Sequence, residues 1–139
     1  MKFVYLLSIL FFVGCNNNSN LGNEPKSNVD FNLIIGTPKK IGSILVAQND
    51  FPILFDSWDI ANKVSSHLGK GWRMPTKSEL KILYENQIEI KNFKYKYYWS
   101  SSEGEFWDND AWYQNFKNGE QGTMYKGSIG AVRAVKSIN

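Results

Sequence analysis

Few residues in this chain can do covalent or acid–base chemistry. Its 139 residues include one His, His67, and one Cys, Cys15. A nucleophilic triad needs an imidazole beside a Ser or Cys. His67 instead closes a helical pattern, where the helix dipole favours a cation. A zinc or copper site needs several His or Cys ligands, and the composition does not supply them. Calcium takes oxygens, and Glu103, Glu105, Asp108, Asn109 and Asp110 cluster in SSEGEFWDNDAW. That stretch reads as a solvated acidic loop. No catalytic residue, metal or cofactor is therefore expected. Trp107, in the same polar loop and outside any apolar stripe, is expected to be exposed.

A different cluster suits recognition. Lys91, Lys94 and Lys96 interleave with Phe93, Tyr95, Tyr97 and Tyr98. Cations set among aromatic faces can hold a polyanion or stack on sugar rings. The same pattern also fits a strand entry with lysines in solvent and aromatics in the core. The candidate ligand contacts are Lys91, Lys94, Lys96, Trp107, Asp108 and Asp110. The net charge of +3 is too small to imply a nucleic-acid partner.

The elements that must position these residues begin after an export signal. Lys2 precedes an apolar run from Phe3 to Val13, interrupted by Ser8. A membrane span needs about 20 residues, so this shorter run reads as the core of a signal peptide. Phe12-Val13-Gly14-Cys15 resembles a bacterial lipobox, with Phe12 standing where Leu is usual. Residues 1–14 are then a lipoprotein signal peptide and Cys15 is the acylated N-terminus. Residues 15–30 are rich in Asn and Ser and read as a flexible tether. Residues 31–139 form one domain, with the five Trp as ample core material. With Cys15 acylated, the domain has no disulfide.

Within the domain, Ile41 to Val46 reads as a strand ended by the loop from Gln48 to Pro52. Asp56 and Ser57 are N-cap candidates for a helix from Ser57 to Leu68, with Ile60, Ala61, Val64 and Leu68 on its buried face. GWRMPTKSEL follows. Thr76 and Glu79 have the spacing of a capping box, which starts a second helix ending near Asn86. Leu80, Leu83 and Tyr84 form its buried stripe. Trp72 reads as core, and Arg73 as a donor to helix C-terminal carbonyls or a partner for a ring. The period then becomes two. Tyr97, Trp99 and Ser101 share one side of a strand, and Trp112, Gln114 and Phe116 one side of the next. Asn118-Gly119 marks a turn, Thr123 to Lys126 a returning strand, and Gly130 to Lys136 a last strand. This order is α+β.

GWRMPTKSELKILYEN, then YYWSSSE, AWYQNF with its following NG, and VRAVK, together resemble a bacterial domain family of unknown function. That family is named for the C-terminal domain of a collagen-like surface adhesin. The sequence is also similar to the major paralogous domains of envelope proteins from fibre-degrading bacteria. The resemblance spans about Ile35 to Val135. It implies a C-type-lectin-like fold, in the branch shared with formylglycine-generating enzymes. Two helices pack on small antiparallel sheets, and the first and last strands pair. The copper-binding cysteines of those enzymes are missing, so their activity is not implied. Gly71, Trp72, Arg73, Pro75, Thr76, Glu79, Trp99, Ser100, Ser101, Trp112 and Arg133 are then the structural signature. The namesake adhesin domain is associated with sulfated glycans, so an acidic or sulfated glycan, or an envelope protein, is the implied partner. The expectation is a non-catalytic binding domain of adhesion type, lipid-anchored in the bacterial envelope at the outer membrane. A structural or assembly component of the envelope is the alternative.

Overall fold

A computed structural model describes residues 29–138. The expected signal peptide, Cys15 and the expected tether up to residue 28 lie outside the described residues. Eleven elements follow in order: α1 (Phe31–Ile35), β1 (Lys39–Ile41), β2 (Ile44–Val46), α2 (Trp58–Ser66), β3 (Trp72–Arg73), α3 (Lys77–Glu85), α4 (Gln87–Ile90), β4 (Tyr97–Glu103), β5 (Asp110–Asn115), β6 (Gln121–Tyr125) and β7 (Val135–Ser137). One antiparallel sheet has the order β1-β2-β7-β3 and the other β4-β5-β6. The fold is α+β.

Several boundaries differ from the sequence reading, for physical reasons. The strand expected over Ile41 to Val46 is a hairpin that turns at Gly42 and Ser43, and its second arm, β2, pairs with the last strand, β7. The last strand is short, because Gly130 and Ala131 form isolated bridges to Phe55 and Tyr98 instead. Two short helices, α1 and α4, were not legible as periodic segments, having only five and four residues. In α2 the buried residues are Trp58, Ala61, Val64 and Ser65, whereas Ile60 is 49% exposed. Consecutive helical residues are about 100° apart, and Trp58, not Ile60, sets the inward face. Ser57 caps this helix by accepting from the Ile60 N–H.

Strict alternation also fails in β4, where Tyr98, Trp99 and Ser100 are all buried. The cause is that β4 lies between two cores. Trp99 packs with Phe51, Phe55, Trp58, Trp72 and Met74. Tyr98 packs on the other side with Val46, Leu80, Leu83, Phe116 and Val135. Tyr97 is left at the surface.

One polar cluster is buried between these layers. Arg133 and Asp50 are both buried, and Nε of Arg133 donates to Oδ1 of Asp50 at 2.7 Å. The rest of the guanidinium donates to the carbonyls of Ala47, Gln48, Lys91 and Asn92. Its Cζ lies 4.2 Å from the centre of the Phe93 ring. Oδ2 of Asp50 accepts from the Tyr98 hydroxyl at 2.8 Å and the Lys94 N–H at 3.0 Å. Burial first, and the Asp50 charge second, push the Tyr98 hydroxyl above the ordinary tyrosine range, so it remains a donor.

A buried ion pair that loses one member leaves an unpaired charge in an apolar surround. Asp50→Ala is therefore expected to lower the unfolding free energy by about 3–5 kcal/mol. Lys39→Ala removes the exposed Lys39–Glu89 pair and should cost about 0–1 kcal/mol. Urea unfolding of the two variants, read as midpoint shifts at constant slope, checks the contrast.

Candidate ligand-binding site

Most of the sequence signature collects into one corner, while Arg133 belongs to the buried cluster with Asp50. Trp72 is buried and pairs across from Lys136 of β7. Gly71 precedes it at φ +84, a conformation that side-chain-bearing residues rarely adopt. Arg73 makes a paired contact with Glu79, at 2.7 Å and 2.8 Å, and donates to Ser137 Oγ and the Met74 carbonyl. This corrects the expectation of a helix-end carbonyl or a ring as its partner. The carboxylate six residues downstream is closer and matches the fork of the guanidinium. Glu79 also completes the capping box with Thr76. The buried Pro75 offers its carbonyl to the Ser101 N–H at 2.7 Å. Ser100 bonds the Trp112 carbonyl through its hydroxyl, and its own carbonyl accepts from the Trp58 indole. The Lys77 ammonium sits 3.1 Å over the Trp112 ring centre. Arg73, Thr76, Glu79 and Ser100 thus all have partners inside the fold, whereas the buried Trp99 indole nitrogen has none.

The acidic loop is also occupied from within. The Lys126 ammonium bonds Glu103 Oε2 at 2.6 Å and the Asp108 carbonyl at 2.7 Å. Among the described residues, no group of three or more His, Cys, Asp or Glu converges as a metal site. At the loop tip Phe106 is 87% exposed and Trp107 72%. His67 is the C-cap of α2, with its N–H bonded to the Val64 carbonyl.

The basic and aromatic run divides. Lys91 and Asn92 both have positive φ, 67° and 61°. Arg133 holds their carbonyls in that conformation. Lys94 gives its backbone N–H to Asp50, so this part of the run is fastened to the buried ion pair. The next three residues line a groove of about 280 Å³, together with Leu54, Ile129 and Gly130. Leu54 and Ile129 are exposed there, and Tyr97 is at the surface. The Lys96 ammonium lies 4.6 Å from the Tyr97 ring centre, and Tyr113 meets the same ring edge-on at 5.3 Å. Gly130 must be glycine: a Cβ there would come within 2.6 Å of the buried Trp99 indole.

Tyr97 and Glu103 are the two ends of β4. At about 3.3 Å per residue they are roughly 20 Å apart. The structure therefore does not bring Trp107, Asp108 and Asp110 together with Lys96, and only Lys96 of the six candidate contacts lines the groove. Sequence reasoning missed Leu54 and Ile129, which lie in irregular segments with no periodicity to flag them.

A family model described as the Lcl C-terminal domain matches residues 46–136. Among solved structures, the crystal structure of botrocetin aligns with 75% of this chain and 98% of that chain, at a TM-score of 0.56 and 9% identity. That likeness is one of fold. No curated protein matches the chain.

The corner carries a pH dependence. The hydrogen bonds from Arg73, before those of Thr76 and against burial, hold the Glu79 carboxyl below the usual carboxylate range. A carboxyl lowered by folding stabilises the fold above its unfolded pKa, and that contribution is lost as pH falls through the folded value. Thermal melts at falling pH should thus lose stability below about 4.3, the ordinary glutamate pKa. Glu79→Gln should remove that part of the slope.

Proposed function

This chain belongs to the Lcl C-terminal domain family, and from that premise we propose that it is a lipid-anchored binding protein of the bacterial envelope. The domain binds a glycan bearing carboxylate or sulfate groups and is not an enzyme. The observation that carries this reading is the groove, where two tyrosines, two exposed aliphatic side chains and one lysine meet. Aromatic faces stack on the apolar faces of sugar rings, and a single cation on the rim selects an anionic substituent. Its lining holds no His and no carboxylate, which supports binding over acid–base catalysis. Attachment rests on Cys15, with the outer membrane as its place. No helix among the described residues is long and apolar enough to cross a membrane. A second reading, a structural envelope component without a small ligand, draws on Phe106 and Trp107, which protrude far from the groove.

The binding test is a comparison of sulfated and uronic-acid oligosaccharides with neutral ones across a salt titration. Binding should weaken with salt. Tyr97→Ala should lower affinity by about two- to tenfold, a loss of about 0.5–1.5 kcal/mol. Lys96→Gln should flatten the salt dependence, whereas Lys91→Gln, outside the groove, should not. Absence of binding to every anionic sugar, with retention of a second envelope protein, would favour the structural reading.

For the anchor, cells fed a labelled fatty acid should incorporate it into the wild-type chain and not into Cys15→Ser. An unlabelled wild type rules the anchor out.

A further inference from the structure

The edges of the two sheets are not treated alike. The outer edge of β4 is closed by the rest of the fold: the Trp99 N–H bonds the Ala131 carbonyl, the Ala131 N–H bonds Tyr97, and the Ser101 N–H bonds Pro75. The outer edge of β1 carries two exposed lysines, Lys39 and Lys40. Edge charges of that kind discourage strand pairing. The outer edge of β6 has neither protection.

Two hydrogen bonds fix which way the β6 backbone faces. The Asn115 N–H bonds the Glu120 carbonyl, and the Lys126 N–H bonds the Asn109 carbonyl, both at 2.8 Å. In an antiparallel ladder bonded pairs recur at every second residue. Gly122 and Met124 therefore turn their backbone groups toward β5, and Gln121, Thr123 and Tyr125 turn theirs outward. The Tyr125 carbonyl accepts from the Ser128 N–H. The outward N–H and C=O of Gln121 and Thr123 and the N–H of Tyr125 have no backbone partner among the described residues. Thr123 and Tyr125 are exposed. The strand reads Gln-Gly-Thr-Met-Tyr, with no charge and no proline, and it pairs with β5 without a bulge.

We propose that this edge pairs with the same edge of a second copy of the chain, antiparallel, about a two-fold axis at Thr123. The charges flanking the strand select both partner and register. With Thr123 opposite its own copy, Gln121 faces Tyr125 and Glu120 faces Lys126, so opposite charges meet at both ends. Shifting the axis by one residue either way sets Glu120 against Met124 or Ser128 and loses both charge pairs. The Lys126 ammonium has three donors, and the bonds to Glu103 and Asp108 use two. Its remaining side faces the Trp58 ring, 4.8 Å from the ring centre, so pairing with the partner's Glu120 exchanges that ring contact for an ion pair. The two three-stranded sheets become one continuous sheet. None of the residues that line the groove belongs to β6.

The test uses the full chain with Cys15→Ser, so that an introduced thiol is the only one. In a bonded antiparallel pair the facing Cα atoms are about 5.5 Å apart, within the range that a disulfide spans. Under mild oxidation Thr123→Cys should give a reducible dimer about tenfold faster than Lys40→Cys on the protected β1 edge. Adding Glu120→Lys to Thr123→Cys sets two lysines in opposition and should slow cross-linking severalfold. Equal rates for the Thr123 and Lys40 thiols overturn the proposal, as does indifference to Glu120→Lys. If Thr123→Cys does not fold, sedimentation of the Cys15→Ser chain decides. An average mass that rises with concentration and falls back with Glu120→Lys supports the pairing; a monomer at all concentrations refutes it.

Discussion

Taking a guanidinium and a carboxylate out of water together is costly, and the fold is arranged around meeting that cost at Arg133 and Asp50. Neither side chain is accessible, so the attraction between them must be supplemented by hydrogen bonds that replace lost water. The fold supplies these from two stretches of backbone and one side chain. Ala47 and Gln48 follow β2, Lys91, Asn92 and Lys94 lie between α4 and β4, and the Tyr98 hydroxyl comes from β4 itself. Satisfying one ion pair therefore fixes these segments relative to the one that carries Arg133. A pair of methyl-rich side chains of equal volume would avoid the desolvation cost, but would not specify where those irregular segments lie.

That specification reaches the groove. Lys91 has φ 67° and ψ 178°, a region almost confined to glycine that costs of order 1–3 kcal/mol. It persists because its carbonyl is one of the acceptors for Arg133. The chain then leaves the network through Tyr95, whose N–H bonds the Tyr98 hydroxyl at 3.1 Å, and enters the groove wall. Opposite, Gly130 lets the chain cross directly over the Trp99 ring. The groove is thus bounded on one side by a hydrogen-bonded network and on the other by the absence of a side chain.

How much of this the sequence disclosed depended on the distance over which each interaction acts. The capping box at Thr76 and Glu79 and the turn at Asn118-Gly119 are made by neighbours, and they were legible. The exposure of Trp107 followed from its polar surroundings. The ion pair joins residues 83 positions apart, and Asp50 looked like one more polar residue in a loop. The burial of Tyr98 beside Trp99 required a second core on the far face of β4, which no local pattern reports. Ile60 was placed inward because the apolar pattern has no means of knowing that Trp58 leads the helix. The groove was half legible: its aromatic wall was written in one run of sequence, while Leu54 and Ile129 arrive from segments 75 residues apart.

The groove's one cation is itself constrained. The Lys96 ammonium already rests against the Tyr97 ring at 4.6 Å, and Tyr113 packs perpendicular to that ring. A sugar that stacks on the Lys96 side of Tyr97 must displace the ammonium, and a neutral sugar gives that ammonium no charged partner in return. An anionic substituent takes the same ammonium as it swings off the ring, replacing a contact of about 0.5–1 kcal/mol with a charge-assisted hydrogen bond that is stronger. Discrimination between neutral and acidic sugars can therefore arise from a single lysine without a broad basic surface, consistent with a chain whose net charge is only +3.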